Sequence, residues 1–390
     1  MGIWDSLRRP LDPLPRGDAV PPAATEQAAI PGIPGARFWA DRDVSAFVQL
    51  VLDDNRRELE AMTRAGVPED QLPPAHMLAI SGGGDAGAFA AGILTGWTRT
   101  GTRPAFRVVT GISAGALAAP FAYLGPDYDG ALREMATSVG PKDIFRTRNV
   151  FAGFLADGLA DSEPLHQLVS KHVTRRLLDA VAEEHARGRV LMIGTTDLDS
   201  GRPVTWNMGV IASSPAPDAV TLFRKVMVAS MSIPGAVSPV MIDVEVDGKI
   251  HQEMHVDGAV INQVFLYPAR GLAEVRKALE KPYVRKLHAY VIRNGKLGPE
   301  WAGTRRRTSN IFARGIGTLL HMQGLSDLEH IYDIVTRDGV DFNCAYIGDD
   351  FTFSHAVRFE SGFLRRLYQY GYDQSSKGLA WKKSLPSRVE

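Results

Sequence analysis

Apolar residues recur along the chain with several spacings, and each spacing predicts a different element. Val44, Phe47, Val48, Val51, Leu59 and Met62 fall at helical intervals with Arg and Glu between them, which predicts a surface helix. Met77-Leu78-Ala79-Ile80 and Phe106 to Thr110 are short apolar runs that end at glycines, so each reads as a buried strand. The helices they feed are Ala88 to Trp97 and Ala116 to Tyr123. Val190 to Ile193 and Leu287 to Ile292 supply two more apolar runs, and helical pattern covers Leu165 to Ala186, Ala273 to Leu279 and Leu319 to Val335. Strands alternating with helices predict a three-layer α/β/α fold with a largely parallel central sheet. Val240 to Val246, Asp247-Gly248 and Lys249 to Val256 read as two strands joined by a two-residue turn.

The ends of the chain follow other rules. Residues 1–36 carry seven prolines, Pro10, Pro13, Pro15, Pro21, Pro22, Pro31 and Pro34, and few large apolar side chains. They are expected to be a flexible or draped arm. A helical lead-in over 37–73, a catalytic α/β unit over 74–300 and a helical extension over 301–390, packed on that unit, complete the expected division. Arg305-Arg306-Arg307 and Lys382-Lys383 read as solvated basic faces without a catalytic role.

With 45% hydrophobic residues in a chain of 390, a large core is available. Lys plus Arg and Asp plus Glu both number 44, so no long-range field recruits nucleic acid, and any transient contact with a membrane surface must be local. The single cysteine, Cys344, excludes an internal disulfide framework and a thiol-rich zinc site. Met1 to Ser6 lacks the basic start and apolar run of a secretory signal; it fits a loose myristoylation pattern that arises easily by chance. The longest uncharged window, Val108 to Pro126, holds glycines and a proline that fit a strand, turn and helix better than a membrane span. A cytoplasmic or peripheral membrane protein is the expectation; oligomeric state is not legible.

Ser81-Gly82-Gly83-Gly84-Asp85-Ala86-Gly87 follows a predicted strand and opens a helix. Gly82, Gly84 and Gly87 match a dinucleotide fingerprint, but no acidic residue that could hold a ribose occurs from Ala86 to Pro126. Consecutive glycines also let backbone N–H groups converge on an anion, either a phosphate or the oxyanion of an ester under attack. A plain tight turn remains the alternative. Gly111-Ile112-Ser113-Ala114-Gly115 is G-x-S-x-G between strand and helix, where the glycines relieve a sharp turn and lift the serine hydroxyl to a helix N-terminus. Ser113 is therefore the candidate nucleophile. Of the nine histidines that follow, none sits in a diagnostic context. Asp257, at the end of the alternating segment Met254 to Asp257, is the leading base, although an Asp-Gly step is also ordinary turn chemistry.

Taken in order, Gly82-Gly83-Gly84-x-x-Gly87, Gly111-x-Ser113-x-Gly115 and Asp257-Gly258 resemble the patatin-like phospholipase family of bacterial type, and Ala229 to Val237 is similar to the family block between nucleophile and aspartate. The resemblance covers about Met77 to Asn262. It implies a patatin-like fold and a lipid acyl hydrolase in which Ser113 attacks, Asp257 is the base, and amides around Gly82, Gly83 and Gly84 hold the oxyanion. No cofactor or metal is then required, and the substrate is a lipid or other acyl ester. Two departures stand out: Ala86 where many members carry Lys or Arg, with Asp85 adding a negative charge nearby, and Val237 where phenylalanine is usual. Four other readings compete. They are a Ser–His–Asp hydrolase using His288 or His355, a nicotinamide oxidoreductase on the glycine cluster, a zinc enzyme using His251 and His255, and a lipid-binding protein without turnover.

Overall fold

The computed structural model describes residues 15–386 except 40, 42–43, 69–71, 145, 148–156, 280–284, 300 and 354–357. Nine strands form one sheet: β1 (Arg37–Trp39), β2 (Ala75–Ile80), β3 (Val108–Gly111), β4 (Val190–Asp197), β5 (Arg202–Asn207), β6 (Val240–Val246), β7 (Lys249–Asp257), β8 (Leu287–Arg293) and β9 (Asp341–Tyr346). Their order is β1-β5-β4-β3-β2-β8-β9, and the β6–β7 hairpin joins through β7 alongside β4. The run from β4 through β3, β2 and β8 to β9 is parallel, whereas β5, β1 and the hairpin pair antiparallel. Parallel strands bury both faces, which is why β2, β3 and β4 read as continuous apolar runs rather than alternations.

Helices cover the sheet: α1 (Ser45–Arg64), α2 (Gly87–Arg99), α3 (Ala114–Leu124), α4 (Ala219–Ala229), α5 (Thr308–Arg337) and α6 (Ser361–Ser376) are those that bear on the site. Helix α2 is buried along nearly its whole length. A Cβ at Gly92 or Gly96 would collide with the backbone of Tyr368 or Tyr372 in α6, so small residues set how closely these two helices approach. The hairpin turns at Asp247 and Gly248, both at positive φ (49° and 76°), the geometry that matches strand twist in a two-residue turn.

Three features are more specific in the structure than in the sequence. From residue 16 the proline-rich arm is held in place, because Ala28, Ile30, Ile33 and Ala36 insert singly into the core, Ala29 bridges to Glu245, and Arg16 pairs with Asp199 at 2.7 Å. Residues 1–14 lie outside those described. The helical pattern from Leu165 to Ala186 is two helices, Glu163–His172 and Arg175–Ala186, because Val173 and Thr174 leave helical geometry. The extension after residue 300 is not wholly helical: β9 pairs in parallel with β8 and carries the sheet across the boundary expected there. Among the described residues no helix is long and apolar enough to cross a membrane.

Candidate active site

Strand register alone brings the two candidate residues together. Gly111, the last residue of β3, lies opposite Ile193 of β4, and Asp257, the last of β7, lies opposite Thr195 two residues further along β4. Ser113 follows Gly111 by two residues. It therefore arrives at the level of Asp257, just past the end of β3, where β4 has exchanged one neighbour for the other.

The turn that carries Ser113 is tight. Ser113 has φ 53° and ψ −123°, a region that side-chain-bearing residues avoid at a cost of about 1–3 kcal/mol. Its surroundings impose that conformation. A Cβ at Gly115 would strike the Ile80 carbonyl, and one at Gly111 would strike Gly115, so both flanking glycines are required by space. The Ser113 N–H donates to Ser230 Oγ at 2.9 Å, and Ser230 Oγ–H donates to the Gly194 carbonyl at 2.8 Å. Helix α3 starts at the next residue, which directs its positive end toward the hydroxyl.

Asp257 is 1% exposed and Ser113 5%. The Asp257 backbone N–H donates to the Ser232 carbonyl at 2.9 Å, and its Oδ1 accepts the Ala259 N–H at 2.8 Å. Oδ2 is buried without a closed hydrogen bond. Burial pushes the Asp257 carboxyl up to about 7; the Ala259 amide and the Ser113 hydroxyl, whose reach extends to the carboxylate, pull only partly the other way. The pair is thus juxtaposed but loose, a state common in unliganded sites. Ser230 and Ser232 belong to the Ala229 to Val237 block. One steadies the serine and the other the aspartate, which gives that block a physical reason to accompany the pair.

The glycine cluster lies against this turn. A Cβ at Gly82 would come 3.2 Å from Ser113 Cβ, and one at Gly87 would come 2.8 Å from Ala114 Cβ. Gly83 has no room for a side chain because the Asn294 backbone fills that space. The Gly82 N–H is already spent on the Gln263 carbonyl at 2.9 Å, so of the three expected amides Gly82 contributes room rather than a donor. Among the described residues, the N–H groups of Gly83, Gly84 and Ala114 have no partner; Ala114 directly follows Ser113, and Gly83 and Gly84 follow the Gly82 that packs on it. Ala114 joins that set because a helix leaves its first amides unbonded.

Several contributors carry no local sequence signal. Asn294, just past β8, donates its N–H to Ser81 Oγ and its Nδ2 to the Ser81 carbonyl, both at 2.8 Å, pinning the start of the glycine turn. Asp327 of α5 accepts the Gln263 N–H at 2.6 Å and so holds the segment after Asp257. Asp85 is not a loose negative charge: it is buried and accepts Arg358 Nη1 at 3.1 Å and the Phe359 N–H at 3.2 Å. The C-terminal segment thereby brings a guanidinium beside Gly84, near the place where Ala86 departs from the family pattern.

Of the histidines named as alternatives, those among the described residues are engaged elsewhere. His288 lies near the start of β8, opposite His76, about 13 Å along the strand from the end where Ser113 sits, and its Nδ1 pairs with Asp341 at 2.9 Å. His255 is fully buried with Nδ1 on Thr195 Oγ1 and Nε2 on Glu253 Oε2, each at 3.0 Å. His251 and His255 are four residues apart on a strand rather than a helix, too far apart to share a metal ion. His355 lies outside the described residues. Among the described residues no group of three or more His, Cys, Asp or Glu is placed to hold a metal ion.

The sequence matches the family model described as Patatin-like phospholipase over residues 78–270, a span that includes the glycine turn, Ser113, Ser230 and Asp257. No curated protein matches the chain. Among solved structures, VipD from Legionella pneumophila is similar with a TM-score of 0.39 and 11% identity, over 79% of this chain and 67% of that one. Residues 78–270 are thus a patatin-like phospholipase domain.

Proposed function

We propose that the protein hydrolyses carboxylic esters of lipids through a Ser113–Asp257 dyad and an acyl-serine intermediate. The observation that carries this reading is the buried, unpartnered Asp257 Oδ2 at the level of Ser113, with a carboxyl held near 7. A carboxylate of ordinary pKa is a weak base toward a serine hydroxyl; one at about 7 is far better matched to the task and is still ionised in a large fraction of molecules at neutral pH. In the first half-reaction the Ser113 Oγ–H proton passes to Asp257 as Oγ bonds the ester carbon, and the carbonyl oxygen takes up the negative charge beside the amides of Gly83, Gly84 and Ala114. Collapse breaks the bond to the alcohol, which leaves with the proton from Asp257. Water then repeats the sequence on the acyl-serine, and fatty acid departs.

The positive end of α3 and the partnerless amides favour the same developing charge. Incubation with a mixed lipid extract, followed by mass-spectrometric analysis of products, tests the reading. Free fatty acid and a defined lyso-product are expected from the wild type, with turnover reduced about 10⁴-fold or more in Ser113→Ala. Equal product from Ser113→Ala would remove Ser113 from the chemistry.

A further inference from the structure

Ten large apolar residues are exposed among those described, and five of them, Trp301, Ile311, Phe312, Leu319 and Met322, lie in one stretch of 22 residues. Four of these are on the first half of α5, where Ile311, Gly315, Leu319 and Met322 follow one another at helical spacing with Phe312 beside them. The stripe spans about 100° of the helix surface. Phe312 is 66% exposed, Leu319 67% and Trp301 92%. Only from Gly324 onward does α5 bury side chains against the body of the protein.

Charge in this stretch is equally uneven. From Trp301 to Ser326 there are four arginines and no Asp or Glu, in a chain whose charges balance overall. Arg305, Arg306 and Arg307 immediately precede the helix and are exposed. An exposed apolar stripe, a tryptophan and an adjacent basic cluster together match the chemistry of an anionic lipid surface: acyl boundary for the stripe, phosphates for the arginines. The absence of any acidic side chain from Trp301 to Ser326 makes this stretch complementary to a sheet of phosphates rather than to a protein surface of mixed charge.

We propose that residues 301–322 seat the protein on anionic membranes, with α5 lying in the interface. The same helix runs to the site. Met322 belongs both to the exposed stripe and to a cavity of about 680 Å³ whose lining includes Leu297, Leu325, Arg358 and Leu385. Arg358 lies beside Gly84, and Asp327, further along α5, holds the segment after Asp257. Docking would therefore bring the mouth of that cavity to the lipid. Binding itself does not depend on the hydrolase reading; the delivery of an ester to Ser113 does.

Sedimentation with vesicles of phosphatidylcholine, alone or mixed with phosphatidylglycerol, tests the proposal on the full chain. Wild type is expected to partition onto the mixed vesicles, less so at high salt. Changing Arg305, Arg306 and Arg307 together to Gln should weaken this about a hundredfold, and Phe312→Ser with Leu319→Ser about tenfold or more. Both variants alter exposed side chains and should hydrolyse a soluble short-chain ester at the wild-type rate, which reports that they fold. Wild-type partition no stronger than that of the variants would overturn the proposal. So would a wild-type dimer that Phe312→Ser with Leu319→Ser turns into a monomer, because the stripe would then be a subunit interface. If none of the three proteins cleaves the soluble ester, the hydrolase reading fails while the vesicle result still decides docking.

Discussion

Strand β7 carries two buried carboxylates four residues apart, and they have opposite fates. Glu253 is 1% exposed, yet it sits in an ion pair with Arg37 and a hydrogen bond with His255. Burial alone would raise its carboxyl; the bonds from Arg37 and His255 outweigh this and hold it at about 2. Asp257 is equally buried but has no cation beside it, only one amide and a nearby hydroxyl, and burial carries it up to about 7. The first is a satisfied structural charge. The second is a group whose proton can move at neutral pH. What separates them is partner supply rather than depth, and unpaired burial of this kind is typical of sites that do chemistry.

The comparison is tested most severely by removing the poised group. Asp257→Asn is expected to cut kcat/KM by roughly a thousandfold or more, because the amide is nearly isosteric but cannot accept the proton. Its effect on stability should have the opposite sign. Asp257 binds its proton more tightly in the folded than in the unfolded chain, so its contribution is complete below its unfolded value of about 3.9 and is lost as pH rises through about 7. Asp257→Asn should therefore melt higher than wild type at pH 8, by a margin that shrinks steadily toward pH 5 and vanishes below about pH 4, as read by thermal unfolding across that range.

Breaking the satisfied partner should do the reverse. Arg37→Met leaves Glu253 buried without its cation and is expected to cost about 3–5 kcal/mol in denaturant unfolding, with little change in activity per folded molecule. A smaller effect sharpens the contrast. Ser230→Ala removes the hydroxyl that receives the Ser113 N–H and should lower kcat about tenfold with KM nearly unchanged, since Ser230 positions the turn without touching the reacting atoms. A rise in KM with kcat unchanged would place Ser230 in substrate contact instead.

Much of this arrangement was legible in the sequence because its signals are local. Glycines two before and two after Ser113, apolar runs that stop at Ser81 and Gly111, and an Asp-Gly step closing an alternating segment each state a turn or a strand end within a few residues. The contributors that could not be read are those supplied by tertiary structure. Asn294, Asp327 and Arg358 reach the site from elements far away in the chain, and nothing in their neighbours distinguishes them from ordinary polar residues. The amide of Gly82 looked equivalent to those of Gly83 and Gly84 until Gln263 claimed it. The first turns of α5, which begins at Thr308, carry a weaker signal than the half from Leu319: their apolar residues are few and exposed, and Gly315 and Gly317 between them lower helix propensity.

The proposed role of Asp257 as base for Ser113 has one direct measurement: the pH dependence of covalent labelling of Ser113 by a fluorophosphonate, followed by mass spectrometry in wild type and Asp257→Asn. The labelling rate in wild type should rise with pH and level off with an apparent pKa of about 7, and the rise should be absent in Asp257→Asn. Labelling of Asp257→Asn at the wild-type rate, with the same dependence on pH, would contradict the account.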